Sequence, residues 1–101
     1  MKTYITTIKF TQQGIKDIDH STKRAASFKA EAKKCGAKVK EIFWTLGDFD
    51  GLLILEAPDD EAATAAILHL GAKGNVHTST TRAYTASEIE KIVRKVHGEG
   101  K

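Results

Sequence analysis

The chain has 101 residues, 41% hydrophobic and 29% charged, with a formal charge of +3, which leaves room for one domain and one thin core. Its single cysteine, Cys35, forbids an intramolecular disulfide and excludes the small cystine-rich secreted scaffolds. The longest apolar run, Leu52 to Leu55, falls far short of the ~20 residues of a transmembrane helix, and Met1 to Phe10 alternates where a secretory signal is continuously apolar. The expectation is a soluble, cytoplasmic domain over residues 1–97 with a frayed tail at 98–101 and no membrane partner.

Thr3 to Phe10 predicts a first strand, with Tyr4, Thr6, Ile8 and Phe10 on one face and Ile5, Thr7 and Lys9 on the other. Thr11 to His20 contains Gly14 and mixed charges, and reads as an irregular leader or a single turn. Ser21 is expected to cap a helix whose apolar stripe is Ala25, Phe28, Ala32 and Cys35, ended by Gly36. The other faces of that helix carry Lys23, Arg24, Lys29, Lys33 and Lys34, a solvated basic surface.

Val39 to Leu46 is β-branched and aromatic, as a second strand is. Gly47 to Gly51 ends in Asp-Gly and turns the chain into a third strand, Leu52 to Ala57. Pro58 stops that strand. Asp59, Asp60 and Glu61 then place negative charge at the start of a helix using Ala63, Ala66, Ile67 and Leu70, closed by Gly71 or Gly74. Asn75 to Tyr84 predicts a fourth strand. Thr85 and Glu88 form a capping box for a last helix with Ile89, Ile92, Val93 and Val96 on its apolar side.

The order is β-α-β-β-α-β with a C-terminal helix, an α+β ferredoxin-like pattern with a four-stranded antiparallel sheet and two helices on one face. The third strand, central in such a sheet, is apolar in both directions, Leu52 and Ile54 one way and Leu53 and Leu55 the other. A sheet face open to water alternates. Its second face therefore calls for another copy of the chain, in a homodimer or a higher even oligomer.

TYITTIKFTQQG at the start, STKRAASF at the helix entry, VKEIFWTLGDFDGLLILEAPDDEAA across the hairpin and GNVHTSTTRAYT near the end are similar, in order and spacing, to GYD-domain proteins. The resemblance implies a small ferredoxin-like chain of the dimeric α/β-barrel class and brings no catalytic residue. The family's namesake turn corresponds to Gly47, Asp48, Phe49 and Asp50, where Phe49 lacks the tyrosine hydroxyl but keeps the aromatic ring. Thr22 stands where the family's helix-starting proline is expected.

Candidate chemistry is sparse. Asp48, Asp50, His69 and His77 fall at one end of the sheet, near Trp44, but the second and fourth strands are its two edges, roughly 14 Å apart at ~4.8 Å per step, too far for co-ligation of a metal. Asp50 reads as a turn residue, His69 as a helix C-terminal residue and His77 as exposed on an edge strand. Cys35 reads as a small buried hydrophobe on its stripe. RNA-recognition domains share this element order but stack bases on third-strand aromatics, whereas Leu52 to Leu55 is aliphatic; no nucleic-acid partner is expected. The leading expectation is a homo-oligomer binding a small molecule between sheet and helices, without metal or other cofactor, with Tyr4, Phe43, Trp44, Phe49 and His77 as candidate ligand residues. The alternative is a cofactor-independent monooxygenase- or isomerase-like enzyme acting on a small aromatic or unsaturated acid in the same gap.

Overall fold

A computed structural model of the chain describes residues 1–98. Strand β1 (Lys2–Phe10) is followed by a short helix α1 (Gln12–Lys16), a 3-10 turn (Ile18–His20) and helix α2 (Ser21–Lys34). Strands β2 (Lys38–Trp44) and β3 (Gly51–Ala57), helix α3 (Asp60–Ala72), strand β4 (Val76–Ala83) and helix α4 (Ala86–Val96) complete it. All pairings are antiparallel in the order β2-β3-β1-β4, so β3 is central and β2 and β4 are the edges, the ferredoxin-like arrangement. Of the expected tail 98–101, everything beyond Gly98 lies outside the described residues.

Local chemistry sets the boundaries. The Thr11 hydroxyl accepts the Gly14 N–H and opens α1, so the leader holds a helical turn. Asp59 caps α3 by accepting the Ala62 N–H at 2.9 Å, and Thr85 and Glu88 form the expected capping box on α4. Gly36 and Gly74 close their helices at φ of +86° and +82°, a conformation glycine adopts without steric cost; Gly71 lies inside α3.

Ser21 corrects the expectation of an N-cap. Helix α2 enters straight from the 3-10 turn with His20 at the cap position and no side-chain cap bond, because the chain is already helical there. The Ser21 hydroxyl instead accepts the Trp44 indole N–H at 2.9 Å. Strand β2 also ends earlier than Leu46, which lies beyond the ladder and is fully exposed.

The core lies on one face of the sheet. Leu53, Leu55 and Ala57 of β3 and Tyr4 and Thr6 of β1 are buried beneath Phe28 and Ala32 of α2 and Ala63 and Ala66 of α3. Small residues on α3 let that helix approach closely, and burying a leucine such as Leu55 contributes about 1.5–3 kcal/mol. The buried Thr6 hydroxyl shares a 2.8 Å hydrogen bond with Thr80. On the other face, Leu52, Ile54 and Ile5 are only half-buried and Phe43 is 50% exposed.

Helix α4 departs from the body. The radius of gyration of the chain is 15.5 Å, against about 13 Å for a compact 100-residue domain. The apolar stripe Ile89, Ile92, Val93 and Val96 is exposed. The root of the helix is held by Arg82, which lies 4.5 Å from the Tyr84 ring and 5.7 Å from the Tyr4 ring and binds Glu88 at 3.1 Å. Hydrogen bonds from the Thr85 N–H and from Arg82 hold the Glu88 carboxyl below the usual carboxylate range.

Candidate ligand cavity

The Asp50 carboxylate accepts the Phe10 N–H at 2.8 Å, while the Asp50 N–H donates to the Ile8 carbonyl at 2.7 Å. These two bonds stitch the β2–β3 turn to the end of β1, which is the turn role expected of Asp50. At the same end the Thr11 hydroxyl donates to the Gly74 carbonyl at 2.7 Å, tying the start of α1 to the end of the α3 region. Gly14 is required there, because a Cβ on it would sit 2.0 Å from the Asn75 carbonyl oxygen.

These ties leave a cavity of about 260 Å³ between the sheet and the N-terminal half of α2, space for about nine water-sized groups at ~30 Å³ each. Its apolar walls include Ile8, Phe10, Phe28, Trp44, Leu53 and Leu70, and its polar rim comprises Ser21, Lys23, Arg24, Ser27, Glu31, Asp50, Lys73 and Asn75. Most of the rim is internally paired. Arg24 donates to the Asp17 carboxylate at 3.1 Å and to the Asp17 and Gly14 carbonyls. Glu31 takes Lys73 at 2.6 Å and also His69, clamping α2 to α3; the Lys73 ammonium holds its carboxyl below the ordinary range. Asn75 accepts from Gln13 at 2.9 Å.

Of the expected ligand residues, Phe43 and Trp44 border this cavity, and of the two it is Trp44 that turns its ring toward it. Strand alternation turns the Phe43 ring to the face of its register partner Leu52, while Trp44 leans toward α2. Tyr4 is elsewhere, in a trough between α3 and β4 with Asp60, Ile67, Thr80 and Arg82. Its hydroxyl donates to Asp60 at 2.5 Å, and burial, reinforced by that hydrogen bond, pushes the phenol up to about 12. Phe49 and His77 line neither space; Phe49 is half-buried in the turn and His77 is exposed on the edge strand.

Sequence reasoning missed Lys23, Arg24 and Ser27 as cavity residues, because a basic helix face carries the same pattern whether or not a hollow lies beside it. The usable signal was the i, i+3 spacing of Ser21, Arg24 and Ser27 along the edge of the Phe28 stripe. Cys35 is half-buried against the core. Among the described residues, no group of three or more His, Cys, Asp or Glu is placed to hold a metal, and no helix is long and apolar enough to cross a membrane.

The GYD domain model matches residues 4–93. A Thermus thermophilus protein described as a glutamine synthetase and cystathionine beta-lyase binding protein is 27% identical over 90 residues, covering 88% of this chain and 95% of the relative. Among solved structures, FFRP-DM1 superposes with a TM-score of 0.59 at 17% identity, covering 83% of this chain and 100% of that one. An AsnC family transcriptional regulator from Agrobacterium tumefaciens superposes with a TM-score of 0.55 at 25% identity over 83% of this chain, which spans only 50% of that regulator. With its ferredoxin-like sheet in place and the family model matched from Tyr4 to Val93, the chain belongs to the GYD-domain family.

Proposed function

We propose that the protein is a non-catalytic, self-associating binding module that takes a small molecule into the cavity between its sheet and α2. The observation that carries this reading is the cavity itself, about 260 Å³ with an apolar wall and a polar rim, the usual composition of a small-ligand site. The description of the Thermus relative as a binding protein supports a role in binding. So does the resemblance of the fold to part of a transcriptional regulator.

Self-association rests on two apolar surfaces, the open sheet face with Leu52, Ile54, Ile5 and Phe43, and the exposed stripe of α4. A second copy covers both with the chemistry already present in this chain. The unpaired Cys35 fits a reducing, cytoplasmic setting. An enzyme acting in the same cavity has weaker support: Tyr4 lies outside it with its proton held firmly, and the cavity carboxylates Asp50 and Glu31 are both committed to structural bonds.

Thermal unfolding against a panel of small metabolites tests the reading. Binders should raise the Tm of the wild type, because a ligand that binds only the folded state stabilises it by mass action. The cavity-filling variant Ala25→Phe should lose that rise. Equal rises in both proteins, or none in the wild type, would contradict the site.

A further inference from the structure

We infer that the ligand of this cavity is a small amphiphilic anion, an apolar body with a carboxylate or equivalent head directed at α2; the inference rests on the cavity reading above. The rim groups differ in the hydrogen-bonding capacity they still have to offer. Asp50 faces the sheet side with its Oδ2 bound to the Phe10 N–H, and Glu31 is shared between Lys73 and His69. Arg24 is held by Asp17, and the Asn75 side-chain oxygen by Gln13.

What remains on α2 donates, the Asn75 side-chain N–H groups add a donor beside it, and the second oxygen of Asp50 is an acceptor on the opposite side. Among the described residues, Lys23 is the rim cation without an ion pair. The Ser21 oxygen accepts from Trp44, which leaves its own O–H to give. Ser27, six residues along α2 from Ser21, adds a second hydroxyl on the same rim. A ligand head that meets Lys23, Ser21 and Ser27 must accept hydrogen bonds, and Lys23 favours one that is negatively charged. Asp50 across the cavity repels the same charge and so fixes polarity, with the head on α2 and the body against Phe10, Phe28, Trp44 and Leu53. The cavity's size limits that body to a single ring or a short chain.

Trp44 is the only tryptophan and borders the cavity, so its fluorescence reports occupancy. The full-length protein is titrated at pH 7 with 3-phenylpropanoate and with its neutral analogue 3-phenylpropanol. The acid should bind about two- to fivefold tighter than the alcohol, the value of one partly exposed ion pair, and added salt should shrink the lead. Lys23→Met should bring the acid down to the level of the alcohol, whereas Lys29→Met, on an exposed α2 position away from the rim, should keep the lead intact. Equal binding of acid and alcohol by the wild type, or a lead that survives in Lys23→Met, would overturn the anion assignment while leaving the cavity a ligand site. Binding of neither compound would overturn the cavity reading and the anion assignment with it.

Discussion

The two faces of the sheet are woven from the same strands, yet one is a finished core and the other is not. Strand β3 shows the contrast within seven residues: Leu53, Leu55 and Ala57 are buried under the helices, while Leu52 and Ile54 are half-buried, with no helix among the described residues laid over them. Strand β1 follows suit, with Tyr4 and Thr6 buried and Ile5 half-buried. A solvated face of an antiparallel sheet carries polar residues at such positions. The open face does so at its margins, with Thr7, Glu41, Ser79 and Thr81, but its centre is aliphatic. A polar rim around an apolar centre is the layout of a protein interface, and α4, apolar and projecting, extends the same unfinished character beyond the sheet.

Breaking the finished face should cost the most. Leu55→Ala, at a side chain with no exposure, should lower the unfolding free energy by about 2–5 kcal/mol, read by urea denaturation. An effect under 1 kcal/mol would mean that the helix-covered face is not the core. Gly14→Ala comes next, because its methyl group would collide with the Asn75 backbone. A loss of about 1–3 kcal/mol is expected, together with weaker ligand binding in the cavity that this contact helps to shape; a neutral result would show that α1 is free to shift.

Tyr4→Phe removes one hydrogen bond to Asp60 at a cost of about 0.5–1.5 kcal/mol. The wild type carries a pH signature at the same residue. Burial and the Asp60 hydrogen bond push the folded phenol up to about 12 from its ordinary 10.0, so the unfolded chain loses this proton first. The contribution to stability is complete below pH 10 and is lost as pH rises toward 12. Phenolate absorbance should show a late step near pH 12 in the wild type and none in Tyr4→Phe; a late step persisting in the variant would assign it to another residue. The smallest effect is expected at Leu46, whose side chain is fully exposed in the turn: Leu46→Ser should stay within about 0.5 kcal/mol, and a larger loss would place Leu46 in an interface.

Much of this contrast was legible in the residues. The double-sided apolar character of Leu52 to Leu55 marked β3 as central, and Pro58, Gly36 and the Thr85 to Glu88 box marked the ends of elements, because each acts through local sterics or a short-range hydrogen bond. Ser21 shows the converse: a cap is decided by the conformation of the preceding residues, and the 3-10 turn at Ile18 to His20 has no periodic signature. A hollow does lie between the sheet and α2, and Trp44 borders it. Lys23, Arg24 and Ser27 escaped notice because a hollow is a property of how elements pack. Tyr4 lies under α3 and not beside α2, a distinction that strand alternation does not carry, since it gives the face of a residue but not which of two helices lies over it.

The mass of the protein in solution tests the contrast between the faces most directly. Light scattering on the wild type at micromolar concentration should give twice the 11.0 kDa chain mass, or an even multiple of it. Ile54→Asp, which puts a charge at the centre of the open face, should reduce the particle to a single folded chain with unchanged helix content. A wild type that is stably monomeric at 11.0 kDa, or an Ile54→Asp protein that keeps the wild-type mass, would contradict the account.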